Sequence, residues 1–324
     1  MNGARTVHIL YENEAWLSPL LSGLEAEGLR HELHHVHHGL LEATSIPAPG
    51  VYVNRMSPSS HTRGHAESVD LMSEILAWLE GHGRRVINGS RAFSLEVSKF
   101  RQDLVLRRHG IQTPRTVLTV GTDKLLAAAA TFEGRFITKH NQGGKGLGIQ
   151  LFDSVEQLEA HVASPDYDAG PKGQMLIQQY IEAAEPFITR VELVGDRFLF
   201  AMRSDTEGGF ELCPADACQV PPANPDVCPI DGGAKFQASP LRADDPLVRS
   251  YLRMMKAEGL DVAGIEFVED AAGNRFTYDI NGTTNYNSAL GREVGVDGML
   301  MLARLIRREL DRGRSVGTVR KAAL

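Results

Sequence analysis

The sequence predicts an α/β and α+β protein with three parts: a doubly wound N-terminal domain, a small lid domain, and a C-terminal domain built on an antiparallel sheet. Three observations carry this. Up to about residue 93, short apolar strands alternate with amphipathic helices, the pattern of a parallel layer covered by helices. From Glu185 onward, long alternating runs are joined by short turns, as in antiparallel strands. Between them, Phe136 to Gln150 reads as a strand, a glycine-rich loop and a second strand. The expected division is residues 1–93, 94–183 and 184–312, with a basic tail at 313–324.

In chain order, Thr6 to Tyr11 is a buried first strand. Glu14 to Glu27 has helical spacing through Trp16, Leu17, Leu20, Leu21 and Leu24, and Gly28 stops it. His31, His34, His35, His37 and His38 fall on both faces of a short strand, which reads as a solvated stretch rather than a ligand set. Val51 to Val53 is a strand running into the turn Asn54-Arg55-Met56-Ser57-Pro58. In a parallel layer ligands bind at strand C-termini, so Asn54 and Arg55 are candidate substrate contacts. Ser68 to Gly81 is a helix, Val86-Ile87 a strand, and Ser94 to His109 a single helix carrying Lys99.

The middle part continues with the strand Val117 to Val120, the helix Thr122 to Ala130, and the strand Arg135 to Lys139 entering the loop. Ile149 to Phe152 leaves it, a helix opens at Ser154, and the strand Met175 to Tyr180 follows. In the last part Gly195-Asp196 is a hairpin turn and residues 204–246 are a strand plus loops. Leu247 to Gly259 is a helix, two strands meet at Asp270 to Asn274, and Val294 to Leu310 is the closing helix.

At 324 residues and 42% hydrophobic, the chain can bury more than one core. A formal net charge of −7 argues against nucleic acid as the main partner. The N-terminus enters a strand without a signal-peptide core and no apolar run is long enough to span a bilayer, so the expectation is a cytoplasmic protein with no membrane partner. Cys213, Cys218 and Cys228 are odd in number and read as noncatalytic, neither a disulfide framework nor a zinc site.

The loop holds Gly143, Gly144, Gly146 and Gly148 around Lys145, with Lys139 on the entering strand. A tip without side chains lets backbone N–H groups approach phosphate oxygens while the lysines supply charge. It is neither the Walker loop nor the dinucleotide fingerprint, both of which open a helix. Far downstream, Glu266 lies in an apolar strand, and Asp279 and Asn281 share one face of the next. If those strands pair, two acids and an amide oxygen converge. That is a hard-oxygen set suited to magnesium completed by nucleotide phosphates.

This ordered set resembles the ATP-grasp superfamily, and within it the RimK-like ligases: Lys99, then Lys139 before Asn-Gln-Gly-Gly-Lys-Gly-Leu-Gly, then Leu176 to Ile181, Arg190, Gly264-Ile265-Glu266-Phe267 and Asp279-Ile280-Asn281. The resemblance implies ATP as cofactor with two magnesium ions on Glu266, Asp279 and Asn281, manganese being a possible substitute. It places Lys99, Lys139 and the Gly143–Gly148 loop, with Lys145 and Gly146, on the phosphates. Gln178, Gln179, Tyr180 and Ile181 would hold adenine, and Arg190 with Lys139 would be catalytic. Gln179 and Ile188 stand where the family usually has acids, which leaves Glu182 or Glu185 to meet the ribose. Arg203 and Arg292, with Arg55, are candidate carboxylate anchors, and Asn285 a further substrate contact.

The implied activity is carboxylate–amine ligation through an acyl phosphate, on an amino acid, a peptide or a carrier protein, by a homodimer or homotetramer. A phosphotransferase and a non-ligating ATP-binding regulator are the alternatives. Phe210-Glu211-Leu212-Cys213 lacks the Arg and Asn of RimK-like enzymes, so glutamate addition is not implied.

Overall fold

The computed structural model describes residues 6–144, 148–206 and 236–321, with side chains to 312. Lys145, Gly146, the three cysteines and the segment Phe210 to Cys213 lie outside the described residues, as do 207–235 generally.

Three sheets organise the chain. The first is parallel, in the order β2-β1-β3-β4: β1 Val7–Tyr11, β2 His31–His35, β3 Val51–Arg55 and β4 Arg85–Ile87. Helix α1 (Ser18–Ala26) covers one face through Leu20 and Leu24, and α2 (Ser68–Gly81) covers the other through Met72, Leu76 and Leu79. This is the doubly wound arrangement that the alternation predicts. The N-terminal helix is shorter than its apolar spacing suggests, because Glu14–Trp16 forms a separate single turn capped by Asn13.

The expected helix Ser94–His109 is two helices, α3 (Ser90–Glu96) and α4 (Lys99–Arg108). The break falls at Val97-Ser98, where the Ser98 hydroxyl accepts the Arg101 N–H and starts a new helix. The boundary at residue 93/94 therefore falls inside α3.

The second sheet is antiparallel, in the order β5-β8-β6-β7: β5 Thr116–Val120, β6 Phe136–His140, β7 Gln150–Phe152 and β8 Gln174–Gln179. Helices α5 (Thr122–Ala129) and α6 (Val155–Val162) pack on Phe136, Phe152, Met175 and Ile177. The opposite face carries Ile137, Lys139 and Gln178 toward a cleft.

The third sheet is antiparallel, in the order β11-β10-β9-β12-β13: β9 Phe187–Val194, β10 Arg197–Asp205, β11 Phe236–Ala238, β12 Val262–Glu269 and β13 Arg275–Asn281. Helix α7 (Pro246–Glu258) buries Val248, Tyr251, Met254 and Met255 on its back face, against Val191, Ala263, Ile265 and Phe267.

The chain closes with two helices rather than the single expected one: α8 (Ser288–Val294) and α9 (Gly298–Lys321). Gly295, in the left-handed region at φ 74°, ends α8. The helical backbone of α9 runs on into the residues expected to form a tail. Helix α9 crosses α1 closely, and a Cβ at Gly23 would lie 2.8 Å from the Met299 carbonyl oxygen. None of the described helices is long and apolar enough to cross a membrane.

Asn88 fixes the first sheet to the third. Its side chain accepts the N–H groups of Asp261 (2.7 Å) and Val262 (3.1 Å) and donates to the carbonyls of Val262 and Gly282. The cleft between the second and third sheets is thereby walled on one side by Ser57, Pro58 and Ser59, which follow the C-terminal end of β3.

Candidate active site

The floor of the cleft comes from strand register. Glu266 on β12 pairs directly with Asp279 on β13 and, across the other edge, with Arg190 on β9; Gly264 pairs with Asn281 and with Glu192. Cross-strand neighbours share a face, so Arg190, Glu192, Glu266, Asp279 and Asn281 form one polar patch. Between Glu266 and Phe267 the register slips, leaving Tyr278 as an extra residue in β13. That bulge lets Tyr278 and Asp279 both line the cleft, although adjacent strand residues ordinarily point apart.

The charges on this floor are compensated. Lys99 Nζ lies 2.5 Å from Asp279 Oδ1. Arg190 donates through Nε to Glu192 (2.7 Å) and through Nη1 to Glu266 (2.8 Å). Burial resists the charge on Arg190, but Glu192 and Glu266 hold its pKa above the ordinary value. Burial likewise raises Glu266 against the pull of Arg190. For Asp279 burial works upward, but Lys99 and Lys139 outweigh it and the carboxyl lies below its usual value.

The roof comes from the second sheet. Lys139 is almost wholly buried and donates to Gln178 Oε1 at 2.9 Å, with its ammonium over the Tyr278 ring. Burial, and then the neighbouring Lys99, bring its pKa down to about 7. Gly143, Gly144, Gln178, Gln179, Tyr180 and Ile181 line the same cleft. The loop stem is tied to the helix bearing Lys99: the Asn141 side chain accepts the Phe100 N–H (2.9 Å), and its carbonyl accepts the Lys99 N–H (2.9 Å).

The structure therefore brings Lys99, Lys139, Gly143, Gly144, Gln178, Gln179, Tyr180, Ile181, Arg190, Glu266, Asp279, Asn281 and Asn285 to one cavity. Other expected residues stand elsewhere. Gly148 (φ 75°) packs on the His140 ring at the loop exit. Asn54 closes its own turn by accepting the Met56 N–H and donating to Asn88. Arg55 stands behind the wall, donating to the Thr284 carbonyl (2.9 Å) and to Asn285, and burial lowers its pKa to about 10.

Arg203 and Glu185 open on a separate cavity at the back of the third sheet, paired at 3.6 Å. The reason is parity: Arg203 pairs with Thr189, one residue out of step with the cleft-facing Arg190. Glu182 and Arg292 are exposed.

Sequence reasoning missed four contributors. Glu192 is fully buried, two residues from Arg190 on the same face, and that spacing was the available signal. Tyr278 enters only through the bulge. Glu96 lines the cleft and accepts the Gly282 N–H; burial raises its carboxyl to about 7. Gly264 gives the Arg190 guanidinium room to lie against the strand.

A family model for the RimK-like ATP-grasp domain matches residues 97–212. The fold of the whole chain agrees. The ATP-grasp ligase PsnB, solved with a minimal precursor, superposes with a TM-score of 0.65 over 94% of this chain and 99% of that one, at 19% identity. Residues 97–212 thus resemble a RimK-like ATP-grasp domain, and the chain as a whole has the fold of the ATP-grasp ligases.

Another solved structure with the ATP-grasp fold, the RimK domain protein of Sphaerobacter thermophilus, gives a TM-score of 0.62 at 18% identity, covering 92% and 98% of the two chains. Among curated relatives, a probable alpha-L-glutamate ligase of Haemophilus influenzae (strain PittEE) is 26% identical over 207 residues, 64% of this chain and 62% of that protein. One from Rhodopirellula baltica is 26% identical over 187 residues, 57% of this chain and 41% of that protein. The chain thus spans 62% and 41% of the length of these two relatives.

Proposed function

We propose that this chain is an ATP- and magnesium-dependent carboxylate–amine ligase forming an amide or peptide bond through an acyl phosphate. The observation that carries the reading is the single face on which Arg190, Glu266, Asp279 and Asn281 converge beneath Lys99, Lys139 and the glycine loop. The donor set fits the ion: two carboxylates and an amide are hard oxygen ligands, and Asp279 is neutralised by Lys99, which a nucleotide's phosphates can draw away. Magnesium, when bound, supplies positive charge against the phosphoryl oxygens.

The rest is the work of side chains. Lys99 and Lys139 hold the outer phosphates, and Gly143 and Gly144 let the loop backbone approach them. Gln178 to Ile181 seat the base. Arg190, locked by Glu192 and Glu266, presents its remaining donor edge to the phosphoryl group and then to the tetrahedral centre formed when the amine attacks. Because the arginine is already oriented, little reorganisation accompanies the transfer. A carboxylate is a poor electrophile at neutral pH, and phosphorylation supplies the leaving group that the amine displaces.

Incubation with ATP, magnesium and a panel of amino acids and short peptides tests the reading, with ADP and amide product measured together by mass spectrometry. Equimolar ADP, phosphate and amide are expected. ADP with a stable phosphorylated product, or ATP binding without turnover across the panel, would overturn it.

A further inference from the structure

The histidine-rich strand β2 reads in isolation as a solvated stretch, and His35 fits that reading by donating to the Glu12 carbonyl at 3.0 Å. Strand pairing changes the reading for its neighbours. In the parallel ladder, His8 of β1 stands opposite Glu32, and Leu10 opposite His34, so His8 sits between Glu32 and His34 on one face. His8 Nδ1 is 3.1 Å from His34 Nε2 and 3.4 Å from Glu32 Oε2. One ligand atom from each of the three lies within 4.8 Å of the others.

The orientation of His8 is built rather than incidental. Its ring is 1% exposed and stacks on Tyr52 with centroids 4.5 Å apart. On the other side it rests on Gly50, where a Cβ would come within 2.9 Å of the ring. Its Nε2 faces the Pro49 carbonyl at 3.4 Å. A carbonyl only accepts, so Nε2 carries the proton and Nδ1 turns its lone pair toward His34 and Glu32. A backbone carbonyl holding the far nitrogen of an imidazole is the arrangement by which proteins fix the tautomer of a metal-ligating histidine. Two imidazole nitrogens bonded at about 2.0–2.1 Å to one tetrahedral ion sit roughly 3.3 Å apart, close to the spacing seen here.

We propose that His8, Glu32 and His34 form a site for a divalent transition ion, with zinc as its occupant, that fastens the edge strand β2 to β1. Two nitrogens and one carboxylate oxygen suit zinc far better than magnesium, and the exposed sides of Glu32 and His34 leave a position for water. The site stands near the start of β1, whereas the cleft lies beyond the C-terminal end of β3, so it is separate from the ATP site.

The full chain, stripped with chelator, is titrated with zinc against a chromophoric chelator in excess magnesium, which occupies the carboxylate floor. One zinc per chain is expected, with a rise in Tm on loading. Loss of a mere supporting contact to a ligand costs ten- to a hundredfold in affinity, so His34→Ala and Glu32→Gln should each weaken zinc by at least about tenfold. Both residues are at the surface, so the variants keep the fold. His37→Ala, in the neighbouring histidine cluster, should leave the affinity unchanged. No saturable zinc, an affinity indifferent to His34→Ala, or one lost in His37→Ala would overturn the proposal.

Discussion

The guanidinium of Arg190 lies across the α-carbon of Gly264, so that a Cβ there would overlap Nη2, Cζ and Nε. Gly264 stands opposite Glu192 on β9, and Arg190 opposite Glu266 on β12. The arginine is therefore clamped by two carboxylates at its edges and by a bare strand beneath. Gly264→Ala should displace it by the order of an ångström while the sheet survives. Misplacement on that scale costs about a hundredfold. ADP formation should fall by that factor with the KM for ATP little changed and the far-UV circular dichroism preserved; a variant with normal turnover would show that the clamp is unimportant.

Charge removal on the two sides of the cleft should be equally damaging to rate. Lys139→Ala and Asp279→Ala each delete one group meeting the phosphates or the ion, and losses of 10²–10³ or more in kcat are expected. Removing Lys139 takes away an unpaired buried charge, so thermal stability should hold or improve. Asp279→Ala strands Lys99 without its carboxylate, and a modest drop in Tm is expected. Rates near normal in both variants would contradict the site.

Proton linkage gives an independent check. The folded-state pKa of Lys139, about 7, lies below its ordinary 10.5, so the unfolded chain binds more protons between those values. The lysine's contribution to stability accordingly rises with pH across that window and is constant below it. Nucleotide phosphates favour the charged lysine, so binding above pH 7 takes up a proton. ADP affinity should weaken between pH 7.5 and 9, approaching about tenfold per unit. Glu96→Gln, which removes a cleft carboxyl raised to about 7, should keep this dependence. Calorimetry in buffers of different ionisation enthalpy measures the uptake, and a flat profile would be inconsistent with a neutral Lys139.

The loop stem and the lysine helix are coupled through Asn141. Asn141→Ala removes the acceptor for the Phe100 N–H at the start of α4, a change worth about 1 kcal/mol. Tm should fall accordingly, and the KM for ATP should rise as the first turn of α4, which carries Lys99, loosens. An unchanged KM would place Lys99 outside the phosphate site.

The legible parts of this molecule were those set by period two. Glu266, Asp279 and Asn281 could be placed on one face because a strand alternates and a hairpin pairs its arms, and the register bears out that geometry. The same rule could not tell which face of its sheet Arg203 would take, since that depends on the partner it meets. The register that sets Arg203 against Thr189 is not written in either strand alone. Tyr278 was hidden by a bulge and His8 by a partner strand more than twenty residues away. The break at Val97-Ser98 escaped because the apolar spacing continues through it, while the cap depends on one serine hydroxyl. Local pattern gave the elements, and tertiary pairing decided which side chains meet.

The central claim is that a glycine loop and a carboxylate floor from distant parts of the chain enclose one triphosphate. Crystals grown with a nonhydrolysable ATP analogue and manganese, with anomalous scattering measured at the manganese edge, test it most directly. The account predicts manganese bonded to Glu266, Asp279 and Asn281, with the outer phosphates between them and Gly143-Gly144. Manganese away from those three side chains, or a triphosphate bound outside the cleft, would contradict it.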